Sequence, residues 1–412
     1  MKKTVAMLLA LCLCVACFAG CGGTKTEEKP AAPAAPAAEA APAAEAAPAA
    51  EAEAPAAAPA AFKLGIQGPL TGGAAIYGNA VVNGAKIAVE EINAKGGVQF
   101  ELLYQDDEAD SGDKAINAYN ALMDWGMQVL VGPVTSGSGV TVSAQAYADR
   151  VFCLTPSGSS TDCIADKDNF FQVCFTDPNQ GVGSADYMAD NYAGAKVAVI
   201  YKNDDAYSQG VRDTFVKEAE VKGVEVVYEG TFNTSTETDF SVQLTAAQAA
   251  GADMVFLPIY YTPASVILKQ ANDMGYAPTF FGVDGMDGIL TGVEGFDTSL
   301  AEGVLLLTPF SADAQDDLTK NFVDKFQAAY GEVPNQFAAD SYDAVYIVAA
   351  ALEAAGCTPD MSYDEICEAV IPVMPTITVD GVTGLGMTWA ATGEVSKAPM
   401  AVVIKDGVYV TP

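Results

Sequence analysis

From Phe62 onward, short apolar runs alternate with stretches whose apolar residues recur every three or four positions, and this limits the fold more than any other feature of the 412-residue chain. Strands are expected at 63–67, 100–105, 128–132, 151–155, 196–201, 224–228, 254–259, 279–283 and 304–308. Helices are expected between them, as at Asn79 to Ala94, where Val81, Ala85, Ala88 and Ile92 share one face. Strand, helix, strand in alternation requires parallel sheets covered by helices on both sides. About four units precede Thr176-Asp177-Pro178-Asn179 and about four follow it, so two doubly wound sheets of four or five strands are expected rather than one wide sheet. The class is α/β. The segment 300–412, rich in helices and ending in a strand-turn pattern, is read as chain that returns to complete both lobes.

The first 61 residues follow other rules. Lys2-Lys3 precedes an apolar run from Val5 to Phe18 and then Ala19-Gly20-Cys21. That is an export signal over 1–20, too short to span a bilayer, which needs about 20 apolar residues. Its end resembles a bacterial lipobox, which implies that Cys21 is the lipidated first residue of the mature chain. After Cys21, residues 22–61 are almost wholly Ala, Pro and Glu and hold no large apolar side chain before the fold begins. No core can form there, and the frequent Pro interrupts any Ala-driven helix. A tether of this length spans roughly 35 Å as a flexible coil and at most about 120 Å as polyproline II.

The net charge is -33, with no histidine, and residues 1–61 contribute only four Lys against six Glu. The acidity therefore belongs to the folded part, where it argues against nucleic acid as a partner. The missing histidine excludes Ser-His-Asp and Cys-His catalysis and any His-ligated metal, so neither enzyme activity nor a cofactor is expected. Of nine cysteines, Cys12, Cys14 and Cys17 leave with the signal and Cys21 takes lipid. Outside the membrane oxidation is permitted. Cys357 and Cys367 flank a turn-rich stretch and are expected to be bridged; Cys163 and Cys174 are a second possible pair, and Cys153 reads as a buried thiol.

In open parallel sheets ligands bind beyond the carboxyl ends of strands, where helix N-termini direct N–H groups outward. Two such ends are rich in small hydroxyl residues: Gly132-Pro133-Val134-Thr135-Ser136-Gly137-Ser138-Gly139 and Thr155-Pro156-Ser157-Gly158-Ser159-Ser160. Together they can surround a carboxylate, although the same residues serve turns and helix caps. Neither loop has a P-loop ending or any Lys or Arg, which disfavours phosphate. Asp284, at another strand end, can meet an ammonium, and Tyr207, Tyr260 and Tyr261 can wall a ligand or merely pack. The acidic run Asp106 to Asp113 departs from a calcium loop, with Ser111 at the required Gly position and Asn117 at the closing Glu position. A solvated loop is expected there and no metal site.

In order along the chain, Gly68-Pro69-Leu70-Thr71-Gly72, Tyr77-Gly78, Ile92-Asn93-Ala94-Lys95-Gly96-Gly97, Tyr104-Gln105-Asp106-Asp107, Val131-Gly132-Pro133, Thr155-Pro156-Ser157, Tyr207-Ser208-Gln209-Gly210 and Tyr342-Asp343-Ala344 form a set. In this set the chain, from Phe62 to Pro412, resembles the branched-chain amino-acid (leucine/isoleucine/valine) substrate-binding lipoproteins of ABC importers. The resemblance implies a type I periplasmic binding protein-like fold of two lobes joined by three hinge crossovers, near 176–179, 307–311 and 381–386. The expected lobes are 62–178 plus 310–383 and 179–309 plus 384–412. By position, the resemblance implies that Ser136 and Ser159 hold an α-carboxylate and that the Ser157 carbonyl accepts from an α-ammonium. Asp284 would counter that ammonium where the family has Glu, and Tyr77, Tyr207 and Tyr260 would form the walls. Ser159 stands where Thr is commoner.

The expected protein is a monomeric solute-binding lipoprotein that takes a small amino acid to a membrane permease. A short amide, a urea-like or aromatic acid, or a role as ligand sensor for a membrane receptor are the alternatives.

Overall fold

The computed structural model describes residues 60–412. The export signal, Cys21 and nearly all of the Ala/Pro/Glu stretch lie outside the described residues. The chain begins with β1 (Phe62–Gly68), α1 (Ala75–Lys95), β2 (Phe100–Asp106), α2 (Asp113–Trp125), β3 (Val129–Val131), α3 (Ser136–Asp149), β4 (Phe152–Thr155) and β5 (Phe170–Gln172). The five strands form one parallel sheet in the order β2-β1-β3-β4-β5. Val129, Leu130 and Val131 are all buried, as a strand covered on both faces must be.

The second half repeats the plan. It runs α4 (Asp177–Asn191), β6 (Lys196–Lys202), α5 (Ala206–Lys222), β7 (Glu225–Phe232), α6 (Ser241–Ala249), β8 (Met254–Leu257), α7 (Tyr261–Asp273), β9 (Thr279–Gly282) and β10 (Leu305–Thr308). These are followed by α8 (Asp317–Tyr330), α9 (Gln336–Ala355), α10 (Tyr363–Val370), the hairpin β11 (Val379–Gly381) and β12 (Gly384–Met387), and the hairpin β13 (Met400–Lys405) and β14 (Val408–Val410).

The second sheet has seven strands, β14-β13-β10-β9-β8-β6-β7, rather than the expected four or five. The difference is the terminal hairpin: β13 pairs antiparallel with β10 and extends the sheet beyond its parallel part. Strand β5 and helix α6 are also additions to the expected elements. Three residues are too few to show a period, and α6 buries only Leu244 and Ala247.

Helices α8 and α9 pack on α1, and α10 packs on β3 and β4, while β13 and β14 join the second sheet. The return segment thus contributes to both halves. Gly84 makes one of these contacts possible, since a Cβ there would collide with the backbone carbonyl of Ala338 in α9. Helix starts are capped by side chains: Thr176 on Asn179 N–H, Asp205 on Ser208 N–H and Asn335 on Ala338 N–H.

The cysteines correct an expectation. Cys153, Cys163, Cys174, Cys357 and Cys367 are all free thiols. Cys163 packs against Gly139 with its Sγ 3.7 Å from the Ser136 carbonyl, whereas Cys174 is buried among Asp340, Asp284 and Lys397. Cys367 turns inward from α10 into the core, and Cys357, just past the end of α9, is only partly buried. Cys163 lies in an apolar cluster and Cys174 among charged groups, whereas Cys357 and Cys367 border the same core as free thiols. The acidic loop after β2 is a second correction, because Asp107 is buried rather than solvated and accepts from Gln67 Nε2 at 3.3 Å and Ala109 N–H at 3.0 Å. Burial raises its carboxyl to about 6. No metal-ligating cluster occurs among the described residues.

Candidate functional site

Both parallel runs follow one strand order, so each has a switch point where its connections diverge: between β1 and β3, and between β6 and β8. Crevices open there at the carboxyl ends of the strands. Tyr77, Ser136, Ser157, Tyr207, Tyr260 and Asp284 line one cavity between the two sheets, together with Val134, Thr135, Gly285 and Phe337. The space between the walls is about 10 Å³, room for roughly one water, so the halves are drawn together. Ser159 is adjacent but does not line it; its carbonyl accepts from Asp177 N–H at 2.9 Å.

The wall from the first half is made of hydroxyls. Ser136, the first residue of α3, accepts at Oγ from Ser160 N–H at 3.1 Å, which leaves its own proton to donate. Ser157 Oγ donates to the Val134 carbonyl at 2.7 Å, and Ser159 Oγ is buried with no partner at bonding distance.

The opposite wall is aromatic and acidic. Tyr207 OH donates to Asp284 Oδ1 at 2.6 Å and accepts from Gly285 N–H at 2.9 Å. Tyr260 stacks on Tyr207 with centroids 5.2 Å apart and meets Tyr77 edge-on at 5.5 Å. Tyr77 OH donates to the Gly285 carbonyl and accepts from Tyr261 N–H at 3.3 Å, so a residue of α1 bridges to the other half. Thr262 Oγ1 makes a second bridge, to the Gly73 carbonyl at 2.6 Å. Tyr261 itself packs against Tyr77 from behind the cavity.

Asp284 is 4% exposed, and burial raises its carboxyl to about 7, opposed by Tyr207, Gly285 N–H and Gln180. Two functional candidates escaped the sequence reading. Asp177, at the first turn of α4, is buried with neither carboxylate oxygen at bonding distance from a partner. Burial pushes its carboxyl up, with neighbouring Ser159 favouring the charged form and Asp284 opposing it. Gln180 accepts Asp284 N–H at 3.3 Å and leaves its Nε2 unpartnered. Asp177 sits in the stretch 176–179 read as a connection, and Gln180 opens the segment read as the helix that follows it. The signal for Asp177 was an acid directly after a Thr cap and before Pro178, at a helix start. No Lys or Arg lines the cavity, so it can offer hydroxyl and amide donors to an anionic group and the Asp284 carboxylate to a cationic one.

Two facing parallel sheets with a hydroxyl-and-carboxylate cavity between them define an α/β binding fold of the type I periplasmic kind. Residues 61–407 match the family described as periplasmic binding protein. A Leu/Ile/Val-binding protein homolog of Brucella melitensis is 31% identical over 83% of this chain and 90% of its own. Among solved structures, a leucine binding protein from Thermotoga maritima superposes with a TM-score of 0.77 at 25% identity, covering 85% of this chain and 97% of its own. The branched-chain amino acid transporter substrate binding protein of Streptococcus pneumoniae, in complex with isoleucine, gives 0.76 at 28% identity over 85% of this chain and 100% of its own. The chain belongs to the periplasmic binding protein family, in its Leu/Ile/Val-binding group, a family of binding proteins and not of enzymes.

Proposed function

We propose that this protein captures a branched-chain amino acid between lobes 62–178 plus 310–383 and 179–309 plus 384–412, and passes it to the permease of an ABC importer. Lipid on Cys21 holds it at the outer face of the membrane, with the Ala/Pro/Glu stretch as tether. The observation that carries this reading is the convergence on one cavity of Ser136 and Ser157 with Tyr77, Tyr207, Tyr260 and Asp284 opposite. Ser136, with its proton free, and the N–H groups at the start of α3 receive the ligand carboxylate, with Ser159 alongside. Asp284, aligned by Tyr207, receives the ammonium, and the tyrosine faces and Phe337 enclose the aliphatic side chain.

Charge-assisted hydrogen bonds contribute about 1.5 to 3 kcal/mol each, and micromolar affinity requires about 8 kcal/mol. Three or four such bonds with side-chain burial reach that value after the cost of closure. Calorimetry of the purified chain against leucine, isoleucine, valine, benzoate and a short amide tests the reading. Saturable binding of the aliphatic amino acids is expected; binding of benzoate or the amide alone would replace it with one of the other ligand classes.

A further inference from the structure

A second, far larger cavity of about 710 Å³ shares no lining residue with the first and is within the size range of small-molecule sites. Its floor is the face of β10 and β13, where Leu306 and Val402 are buried. Val323 of α8 forms one wall, and the turn beginning at Asp287 and Tyr409 of β14 form the other. Val333 and Val408, 59% and 55% exposed, are also among its lining residues and give it an apolar rim.

Three carboxylates line it, and while Asp313 and Glu332 are exposed to solvent, Asp287 is buried. Asp287 is 5% exposed; its Oδ2 accepts Gln336 N–H at 3.0 Å, but its Oδ1 is buried with no partner at bonding distance. Burial raises the Asp287 carboxyl to about 6, opposed by Gln336 N–H and by the Tyr409 hydroxyl, which itself accepts Gly288 N–H at 3.4 Å. A carboxylate oxygen only accepts, and leaving one unpaired in an apolar cavity is costly. The occupant that suits both features has an apolar body and a donor at one end, and a cationic donor suits a carboxylate best.

We propose that this cavity is a second ligand site, taking a small alkyl or arylalkyl amine with its ammonium on Asp287 Oδ1 and its hydrocarbon between β10, β13 and α8. Gln336 joins the two sites. Its N–H meets Asp287 Oδ2, and its Nε2 donates to the Asp284 carbonyl at 2.6 Å.

The test is calorimetric titration of the purified full chain with 4-phenylbutylamine and with 4-phenylbutanol, each with and without leucine. The amine is expected to bind one to one whether or not leucine is present, and the alcohol at least about tenfold more weakly, the worth of one charge-assisted bond. Asp287→Asn is expected to bring the amine down to the level of the alcohol. Val408→Trp, an exposed position where folding is not at stake, is expected to weaken both by crowding the rim. No amine binding at millimolar concentration, equal binding of amine and alcohol, or loss of the amine on adding leucine would overturn the proposal. The last outcome would assign the amine to the first site.

Discussion

In the proposed function Asp284 carries the charge that meets the ligand's ammonium. Replacing it with Ala is expected to weaken leucine binding at least tenfold, about 1.4 kcal/mol, while the melting curve stays cooperative; unchanged affinity by calorimetry would remove Asp284 from the site. Its carboxyl, raised by burial to about 7, must ionise to hold an ammonium. Affinity is therefore expected to fall about tenfold between about pH 8 and about pH 6, and Asp284→Asn to flatten that dependence. Stability of the ligand-free chain moves the other way. Between about pH 4 and about pH 7 the folded state holds a proton on Asp284 that the unfolded state has lost, so unfolding free energy falls as pH rises through this window. Urea titrations of wild type and Asp284→Asn at the two ends of the window separate this contribution. Asp284 was legible in the sequence because it ends a strand. Asp177 was not, because an acid at a helix start normally caps or faces water, and only the packing of α4 against α5, where Gly210 leaves room for its carboxylate, buries it.

Elements return to both halves of the molecule after β10, and one buried ion pair helps to hold them. Lys397 Nζ, on the segment leading to β13, meets Asp340 Oδ1 of α9 at 2.9 Å and Thr383 Oγ1 at 2.5 Å, with both charged side chains almost wholly buried. Asp343, one turn further along α9, accepts from Val382 N–H and Thr383 N–H at 2.9 Å each and so pins the β11–β12 hairpin to the same helix. Removing one partner of such a pair leaves a buried charge unpaired. Lys397→Ala is therefore expected to lower the unfolding free energy by about 3 to 5 kcal/mol, read from the shift of the urea midpoint at constant slope. Helix and strand positions were mostly legible, because a buried face repeats with the period of its element. Strand β5, helix α6 and the role of β13 and β14 were not, being too short or too weakly patterned to reveal their partners. The expected Cys357–Cys367 bridge was a local argument from spacing, but in the fold both are free thiols, Cys367 buried in the core and Cys357 only partly buried at its edge.

Over the whole molecule the chain crosses between its halves three times, so ligand held between them opposes their separation. A ligand that binds only the folded, closed form stabilises by about 2.7 kcal/mol at a hundred times its dissociation constant. Leucine is accordingly expected to raise the melting temperature, and Asp284→Ala to abolish the rise. The proposed anchor is tested at the same scale: Cys21→Ser is expected to abolish incorporation of labelled lipid and shift the protein from the membrane to the soluble fraction. The amino-acid sequence by itself determined the α/β class, the division into two sheets and the strand-end loops that carry Ser136, Ser157 and Asp284, because periodicity and loop chemistry are local properties. Only the tertiary structure decided that Tyr77 reaches across to Gly285, that Asp177 and Asp287 are buried with unpaired oxygens, and that a terminal hairpin closes a second cavity. Those features depend on residues far apart in the chain meeting in space, and burial, which sets both the unpaired oxygens and the raised carboxyls, exists only once they have met.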